Sequence, residues 1–99
     1  MHVLIVRFDV LPDRVDEFDR LVGQTMEDIA VHEPGTRVYV TGAPAEARHA
    51  RAFVEVYADE AAFVEHEAQP HTRRFLAERA PMLRSFTVDV LPDAGGVVR

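Results

Sequence analysis

The order of strand-like and helix-like hydrophobic patterns is the feature that most constrains the fold of this chain. Apolar residues that alternate with a period of two predict four strands, over residues 2–10, 36–41, 53–57 and 82–90. Apolar residues at helical spacing predict a long amphipathic helix over residues 15–31 and a pair of shorter helices over residues 59–79. The order β-α-β-β-α-β is that of the split β-α-β, ferredoxin-like fold. We therefore predict an α+β protein in which helices cover one face of a four-stranded antiparallel sheet.

The second helical segment has clear boundary signals. Asp59 follows a strand and offers a side-chain oxygen as the N-cap of the first helix. Phe63 and His66 are three residues apart, so they share one face of that helix. Pro70 ends it and suits the first position of the next helix, which carries His71 and several apolar residues. This segment is predicted to bring two histidines toward the carboxylate and tyrosine of the preceding strand.

The helix over residues 15–31 ends at the sequence His32-Glu33-Pro34-Gly35, which is typical of a turn. Within the helix, Gly23 lowers helix stability by up to about 1 kcal/mol. We interpret this glycine as a point where another backbone approaches closely.

Both faces of the predicted sheet are apolar, which is unusual for a single antiparallel layer with helices on one side only. One face carries Val3, Ile5, Val38, Val40, Val54 and Val56, and the other carries Leu4, Val6, Phe8, Tyr39, Phe53, Tyr57, Phe86, Val88 and Val90. A large apolar face open to water marks an interaction surface. We therefore expect a homodimer in which two sheets pack face to face.

Composition excludes several classes of function. A net charge of −6 argues against nucleic acid as a partner, because phosphate binding needs a basic surface. No apolar run approaches the length of a membrane span, and the N-terminus has the pattern of a strand instead of a signal peptide. The chain has no cysteine, so a disulfide framework or thiolate nucleophile is excluded. We expect a cytoplasmic protein with one domain over residues 1–92 and a flexible tail over residues 93–99.

The motifs together resemble the antibiotic biosynthesis monooxygenase domain, and in particular its small quinol-monooxygenase-like members. The resemblance is carried by Glu33-Pro34-Gly35-Thr36, Tyr39, Phe53-x-Glu55-x-Tyr57, the run from Asp59 to Phe63 with His66, and Pro70-His71-Thr72-x-x-Phe75. It implies a dimeric α+β barrel and oxidation of an aromatic compound by O₂ without a cofactor or metal. The chain has neither Asn nor Trp, which the haem-degrading and anthrone-oxidising relatives use. Those two activities are therefore not expected.

Three residues are candidates for catalysis. His66 is the first, because a neutral imidazole beside a cavity can remove a phenolic proton. Glu55 lies in the middle of an apolar strand, where it could orient a histidine; the alternative is an ion pair with Arg37 or Arg7. Tyr39 could bind a substrate oxygen or fill the core.

Five further residues are candidates for substrate binding. His71 is expected at the mouth of the pocket, and the aromatic residues expected along its walls are Phe53, Tyr57, Phe63 and Phe75. His66 and His71 are five residues apart across a helix break, which is not the spacing of a helical zinc site, so we expect no metal. His2, His32 and His49 are expected at the surface.

Three classes of function stay open at this point. The first, which we favour, is that the protein is an enzyme that oxidises a quinol-like or polyphenolic molecule by cofactor-independent monooxygenation. The second is isomerisation of a small carbonyl or phosphorylated metabolite by the same base, with Arg73 and Arg74 as candidate contacts to a phosphate if they are not simply solvated. The third is a non-catalytic binding or stress-response dimer. A cavity beside His66 with room for a ring would favour an enzyme, and a filled core there would favour the third class.

Overall fold

Four antiparallel strands form one sheet in the computed structural model, which describes all 99 residues. The strands are β1 (His2–Val10), β2 (Thr36–Gly42), β3 (Ala50–Tyr57) and β4 (Leu83–Leu91), and their order across the sheet is β2-β3-β1-β4. The predicted α+β, ferredoxin-like fold is thereby confirmed. The boundaries of each predicted strand differ from the observed ones by at most three residues.

Three helices connect the strands. They are α1 (Val15–His32), α2 (Glu60–Ala68) and α3 (Pro70–Arg79), and short 3₁₀ turns precede α1 and follow α3. The predicted boundary signals at α2 and α3 are confirmed: the Asp59 carboxylate accepts a hydrogen bond from the Ala62 backbone N–H at 2.8 Å, and Pro70 is the first residue of α3. None of the three helices has the length and apolar character that a membrane crossing requires.

The core lies between the helices and one face of the sheet. On this face Val6 lies opposite Phe53 of β3 and Val88 of β4, and Phe8 lies opposite Phe86. The Phe8 ring packs against Phe18 of α1, with 5.5 Å between ring centroids. Helices therefore cover the face that carries Leu4, Val6, Phe8, Phe53 and Tyr57, all of which are buried.

The opposite face of the sheet is apolar and open. Ile5 of β1 lies beside Val54 of β3, which lies beside Val40 of β2, so the three form one row across the sheet. Between 40% and 53% of each of these residues is exposed in the single chain. The prediction of a two-sided apolar sheet is confirmed, and the homodimer that it led us to expect stays a prediction.

Two glycines differ in what surrounds them. A Cβ built on Gly35, in the turn between α1 and β2, would lie only 2.7 Å from the Cβ of Ala62 in α2. A Cβ on Gly23 would meet no atom within 4 Å, so the prediction of a close backbone approach at Gly23 is wrong. The close approach occurs at Gly35, and it brings the turn after α1 against the start of α2.

The two chain ends meet at the edge of the domain. The N-terminal ammonium of Met1 donates to the Ala94 carbonyl at 3.1 Å, and the Ala94 N–H donates to the Met1 carbonyl at 2.9 Å. Ala94, in the predicted tail, is therefore attached by two hydrogen bonds to Met1, the residue before β1.

Candidate functional site

A cavity of about 220 Å³ lies between the sheet and the helices α2 and α3. Its wall is apolar except for a few polar side chains that converge on it. The lining residues are Leu4, Val6, Tyr39, Glu55, Phe63, His66, Glu67, Thr72, Phe75, Leu76, Arg79, Val88 and Val90. An apolar cavity with a small number of converging polar groups has the character of a small-molecule site.

His66 is one of two polar residues of α2 that line this cavity, and the other is Glu67. The Asp59 cap fixes the start of α2, and the helical spacing then turns Phe63 and His66 toward the sheet. Only 7% of the His66 side chain is exposed, and its ring lies against Tyr57 with 5.1 Å between centroids. Packing therefore holds the imidazole in one orientation.

Glu33 is the carboxylate that contacts His66. Its Oε1 lies 2.7 Å from His66 Nδ1 and accepts a hydrogen bond from the Thr36 hydroxyl at 2.8 Å, while Oε2 is hydrogen-bonded to His71 Nε2. Burial by itself would raise the pKa of Glu33. The bonds from His71 and Thr36 and the neighbouring His66 outweigh that effect and hold this pKa below its ordinary value. Glu33 is therefore an ionised carboxylate at neutral pH.

The ionised state of Glu33 assigns the proton on His66. A carboxylate can only accept hydrogen bonds, so Nδ1 of His66 must carry the hydrogen and donate it. In a neutral imidazole the lone pair then belongs to Nε2, which has no hydrogen-bond partner in the protein. A histidine held in this tautomer by a buried carboxylate is suited to accept a proton at Nε2.

Glu55 is buried on the cavity wall, and its hydrogen-bond partner is the Tyr57 hydroxyl, which donates to Oε1 at 2.5 Å. The structure therefore corrects two expectations. The carboxylate that orients His66 is Glu33 instead of Glu55, and neither Arg37 nor Arg7 forms an ion pair with Glu55. Burial raises the pKa of Glu55, and the bond from Tyr57 offsets this only in part.

Arg79 of α3 contributes a cation to the cavity wall. Its guanidinium carbon lies 4.8 Å from the Phe8 ring centroid, 5.1 Å from that of Phe75 and 5.2 Å from that of Phe86. No carboxylate forms an ion pair with it, and its burial lowers its pKa from the ordinary value. This leaves a half-buried positive charge available to an anionic group in the cavity.

The predicted site residues are divided between two places. His66, Glu55, Tyr39, Phe63 and Phe75 line the cavity. The other three predicted binding residues do not: Phe53 and Tyr57 are fully buried in the core, and His71 lines an outer cleft between α1 and α3. That placement corrects the expectation that His71 lies at the cavity mouth.

Sequence reasoning missed two residues of the site. It assigned Glu33 to a turn and to the motif that carries the family resemblance, without a chemical role, and gave no role to Arg79. The available signal for Glu33 was an acid directly before Pro-Gly, which also fits an ordinary exposed turn. Among the remaining histidines, His32 and His49 are exposed as predicted, whereas His2 is buried against Phe63.

Larger grooves exist elsewhere but have weaker chemistry. A groove of about 650 Å³ at the end of the sheet is lined by oppositely charged side chains that include Arg7, Asp9, Glu46 and Arg48. Its volume exceeds that of the cavity, yet it contains no carboxylate–histidine pair. The 220 Å³ cavity is therefore the better candidate.

Glu33, His66 and His71 do not form a metal-binding group. His66 Nδ1 lies 2.7 Å from one oxygen of Glu33 and His71 Nε2 is hydrogen-bonded to the other, so both nitrogens form hydrogen bonds with the carboxylate.

Comparison with known proteins finds a matching family and similar solved structures. The family model described as "Antibiotic biosynthesis monooxygenase" matches residues 1–78. A candidate antibiotic biosynthesis monooxygenase from Bacteroides thetaiotaomicron has a similar structure, with a TM-score of 0.84 and 25% identity over 98% of this chain and 90% of the other. Protein Rv0793 of Mycobacterium tuberculosis has a TM-score of 0.86 and 25% identity over 96% of each chain.

A candidate monooxygenase from Lactobacillus acidophilus shares the fold at a TM-score of 0.86 and 24% identity, over 90% of this chain. This chain spans only 42% of that longer protein. No curated protein matches the sequence. The family match, which covers most of the chain, indicates a general monooxygenase-like function.

Proposed function

The chain belongs to the antibiotic biosynthesis monooxygenase family, and from this premise we propose that it oxidises a small quinol-like or polyphenolic molecule with O₂, without a metal or organic cofactor. One observation carries the proposal: His66 lines the cavity while its Nδ1 is hydrogen-bonded to the buried, ionised Glu33. The most difficult requirement of cofactor-free oxidation is an electron-rich substrate anion, and a base oriented in this way produces one.

The first step is removal of a proton from a ring hydroxyl by His66 Nε2. The imidazolium that forms is stabilised by Glu33, as in other carboxylate–histidine pairs. The Arg79 guanidinium, which has no carboxylate partner, offers a positive charge to the phenolate oxygen. Tyr39 lies on the same wall. Burial raises the pKa of its hydroxyl, which therefore keeps its proton and can hold the substrate ring in position by donating a hydrogen bond.

The substrate itself supplies the electrons for the reaction with O₂. The quinol is oxidised to the quinone level and loses two hydrogens, one oxygen atom enters the ring, and the other leaves as water. A hydroquinone plus O₂ thus gives a hydroxyquinone plus water, so atoms and electrons balance without an external reductant.

The size of the cavity limits the substrate. Sites for drug-sized ligands usually have about 300–1,000 Å³, whereas this one has about 220 Å³. A single aromatic ring with a few oxygen substituents is therefore the best fit. The apolar residues Leu4, Val6, Phe75 and Val88 would pack against its faces.

The proposal includes a homodimer. The row formed by Ile5, Val54 and Val40 lies on the sheet face away from the helices, so a partner could cover it without closing the cavity. Burial of this apolar row against a second copy would remove it from water.

The alternative of an isomerase uses the same base and differs in not needing O₂. The two candidate arginines do not support a phosphorylated substrate for such an isomerase. Arg73 is exposed, and Arg74 is bonded to Glu78 and Gln24; neither lines the cavity. The non-catalytic alternative is disfavoured because side chains do not fill the space beside His66.

Oxygen uptake with a panel of hydroquinones, catechols and polyphenols tests the proposal, on protein treated with a chelator. We expect uptake above the spontaneous rate, and a loss of about 100-fold or more in His66→Ala. His49→Ala is the matched control, because His49 is exposed in a loop remote from the cavity. Uptake that is absent with every substrate, or that is equal in His66→Ala and wild type, would contradict the proposal.

A further inference from the structure

Two buried carboxylates, Glu33 and Glu55, lie near the same histidine in opposite surroundings. Glu33 accepts hydrogen bonds from three side chains, two of them imidazoles. Glu55 accepts one, from the uncharged Tyr57 hydroxyl, and this bond occupies Oε1. Its other oxygen, Oε2, has no hydrogen-bond partner in the protein, and Glu55 lies on the cavity wall.

Few groups near Glu55 can compensate a negative charge. The titratable and charged groups that face it are His66 and Glu67 from α2, Arg79 from α3, Tyr39 from β2 and Tyr57 from β3, with Glu33 behind His66. Neither His66 nor Arg79 forms an ion pair with it, and Glu67 adds a charge of the same sign. On the side of β1, its cross-strand neighbour is the apolar Leu4.

An unpaired carboxylate in such a place is costly, and a buried group avoids this cost by keeping its proton. The raised pKa of Glu55, which burial causes, agrees with the geometry. The surroundings of Glu33 therefore favour the carboxylate and those of Glu55 favour the carboxylic acid, although the two are the same residue type in one site. Enzymes commonly divide the roles of acid and base between two such groups.

We propose that Glu55 is a catalytic acid: it enters the reaction as a carboxylic acid and delivers the proton on Oε2 to the dioxygen that the substrate ring has reduced. This inference rests on the proposed oxygenation and assigns its second proton transfer. His66 takes a proton from the ring hydroxyl, and Glu55 gives one to the oxygen that leaves as water.

The proton balance closes over one turnover. When the O–H bond of Glu55 breaks, a new O–H bond forms on the outer oxygen of the ring peroxide and Glu55 keeps the negative charge. The O–O bond then breaks, and the hydrogen on the oxygenated ring carbon leaves as a proton that becomes the second hydrogen of the water, so that this carbon becomes a carbonyl. His66, protonated in the first step, then returns its proton to Glu55 through the water produced in the cavity. Both residues regain their starting states, and no proton is taken up from solvent.

Infrared difference spectroscopy tests the protonated state without any substrate. At neutral pH the carbonyl stretch of a carboxylic acid should be present in wild-type protein and absent in Glu55→Gln. Glu33→Gln is the matched control, because it should remove a carboxylate band and leave the carboxylic acid band in place. Gln keeps the shape of Glu and an oxygen for the Tyr57 hydroxyl, so we expect Glu55→Gln to fold.

If Glu55→Gln does not fold, the wild-type protein gives the same answer. Glutamate labelled with heavy carbon at its side-chain carboxyl should shift the acid band, and exposed glutamates do not contribute to that band at neutral pH. Absence of the band from the wild-type spectrum overturns the inference. Because this measurement needs no substrate, it is independent of whether oxygen uptake is observed.

Kinetics test the catalytic role separately. Glu55→Gln should lower kcat for oxygen uptake by about 100-fold and change KM by less than about threefold. In the wild type, kcat should fall as pH rises through the raised pKa of Glu55, and the residual rate of Glu55→Gln should lack this decrease. An unchanged kcat, or the same decrease at high pH in the variant, overturns the inference.

Discussion

At the residue scale, the site depends on how burial is compensated at each polar group. Glu33 and Glu55 are both buried, but hydrogen bonds from His71, Thr36 and His66 stabilise the charge of the first, whereas one tyrosine bonds the second. Their pKa values are displaced in opposite directions for this reason. The same residue type thereby has two different acid strengths within one small domain.

The opposite pKa displacements predict opposite effects on stability. The folded-state pKa of Glu33 is lowered, so its ionised form stabilises the fold at neutral pH. This stabilisation is lost as the pH falls from about 4.5, the ordinary pKa of a glutamate, to the lower pKa of Glu33 in the folded protein. Glu33→Gln should reduce the free energy of unfolding at neutral pH by about 1–3 kcal/mol, because it removes a charged acceptor from buried partners. Denaturant unfolding at neutral and acidic pH measures both effects, and the variant should lose less stability on acidification than the wild type.

Glu55 should behave in the reverse way. Its folded-state pKa is raised, so the folded chain keeps a proton that the unfolded chain releases, and stability falls as pH rises from the unfolded pKa to the folded one. Glu55→Gln removes this penalty, and we expect its Tm at neutral pH to exceed that of the wild type. A lower Tm for this variant at neutral pH, with an unchanged Tm at acidic pH, would be the contrary result.

His2 is a further buried polar residue, and it lacks compensation. Neither ring nitrogen has a hydrogen-bond partner, and the ring stacks on Phe63 with 4.7 Å between centroids. A buried polar group without a partner costs about 1–3 kcal/mol. His2→Phe keeps the stacked ring and should raise the free energy of unfolding by about 1 kcal/mol at neutral pH, as measured by denaturant titration. No gain, together with a new hydrogen bond from His2 to ordered water in a crystal structure, would argue against this account.

At the element scale, the site depends on where the turn after α1 meets α2. Glu33 lies in that turn, His66 lies in the last turn of α2, and the two meet because the backbone at Gly35 approaches Ala62. The absence of a Cβ at Gly35 is what permits the approach. Helix α3 then adds His71 to the second oxygen of Glu33, so three elements hold one carboxylate.

Two Gly→Ala substitutions distinguish the need for close packing at Gly35 from the general effect of glycine on helix stability. In Gly35→Ala the new methyl group would be forced against Ala62, and we expect a loss of about 1–3 kcal/mol in stability. Gly23→Ala meets open space within α1 and should increase stability by up to about 1 kcal/mol. Thermal unfolding of both variants decides the question, and equal effects of the two substitutions would refute the role given to Gly35.

At the scale of the whole molecule, the sheet separates two functions. The face toward the helices forms the core and the cavity, and the opposite face presents the apolar row of Ile5, Val54 and Val40 to solvent in the single chain. A homodimer that buries this row would leave both cavities outside the interface. Assembly and catalysis would then be separable by mutation.

Val54→Asp tests this separation. It places a charge in the middle of the row, and we expect the sedimentation coefficient to shift from that of a dimer to that of a monomer. Val64→Asp is the matched control, since Val64 is an exposed valine on α2 and not part of the sheet. A wild-type protein that sediments as a monomer would remove the proposed dimer.

The periodicity of the sequence was sufficient to predict the elements and their order, because strands and helices bury residues at fixed local spacings. Parity along each strand also identified the two apolar faces, and local chemistry identified the Asp59 cap and the Pro70 break. The spacing of Phe63 and His66 predicted their shared helix face, and both line the cavity. Each of these features depends on residues only a few positions apart.

Only the tertiary structure decided which carboxylate serves His66. Glu33 is separated from His66 by 33 positions, and their contact depends on the close packing of Gly35 against Ala62. Strand parity placed Glu55 on the correct face, but it does not specify which nitrogen or oxygen a side chain can reach across the core. Hydrogen-bond partners and protonation states arise from distances between elements, and those distances are set by packing of the whole domain.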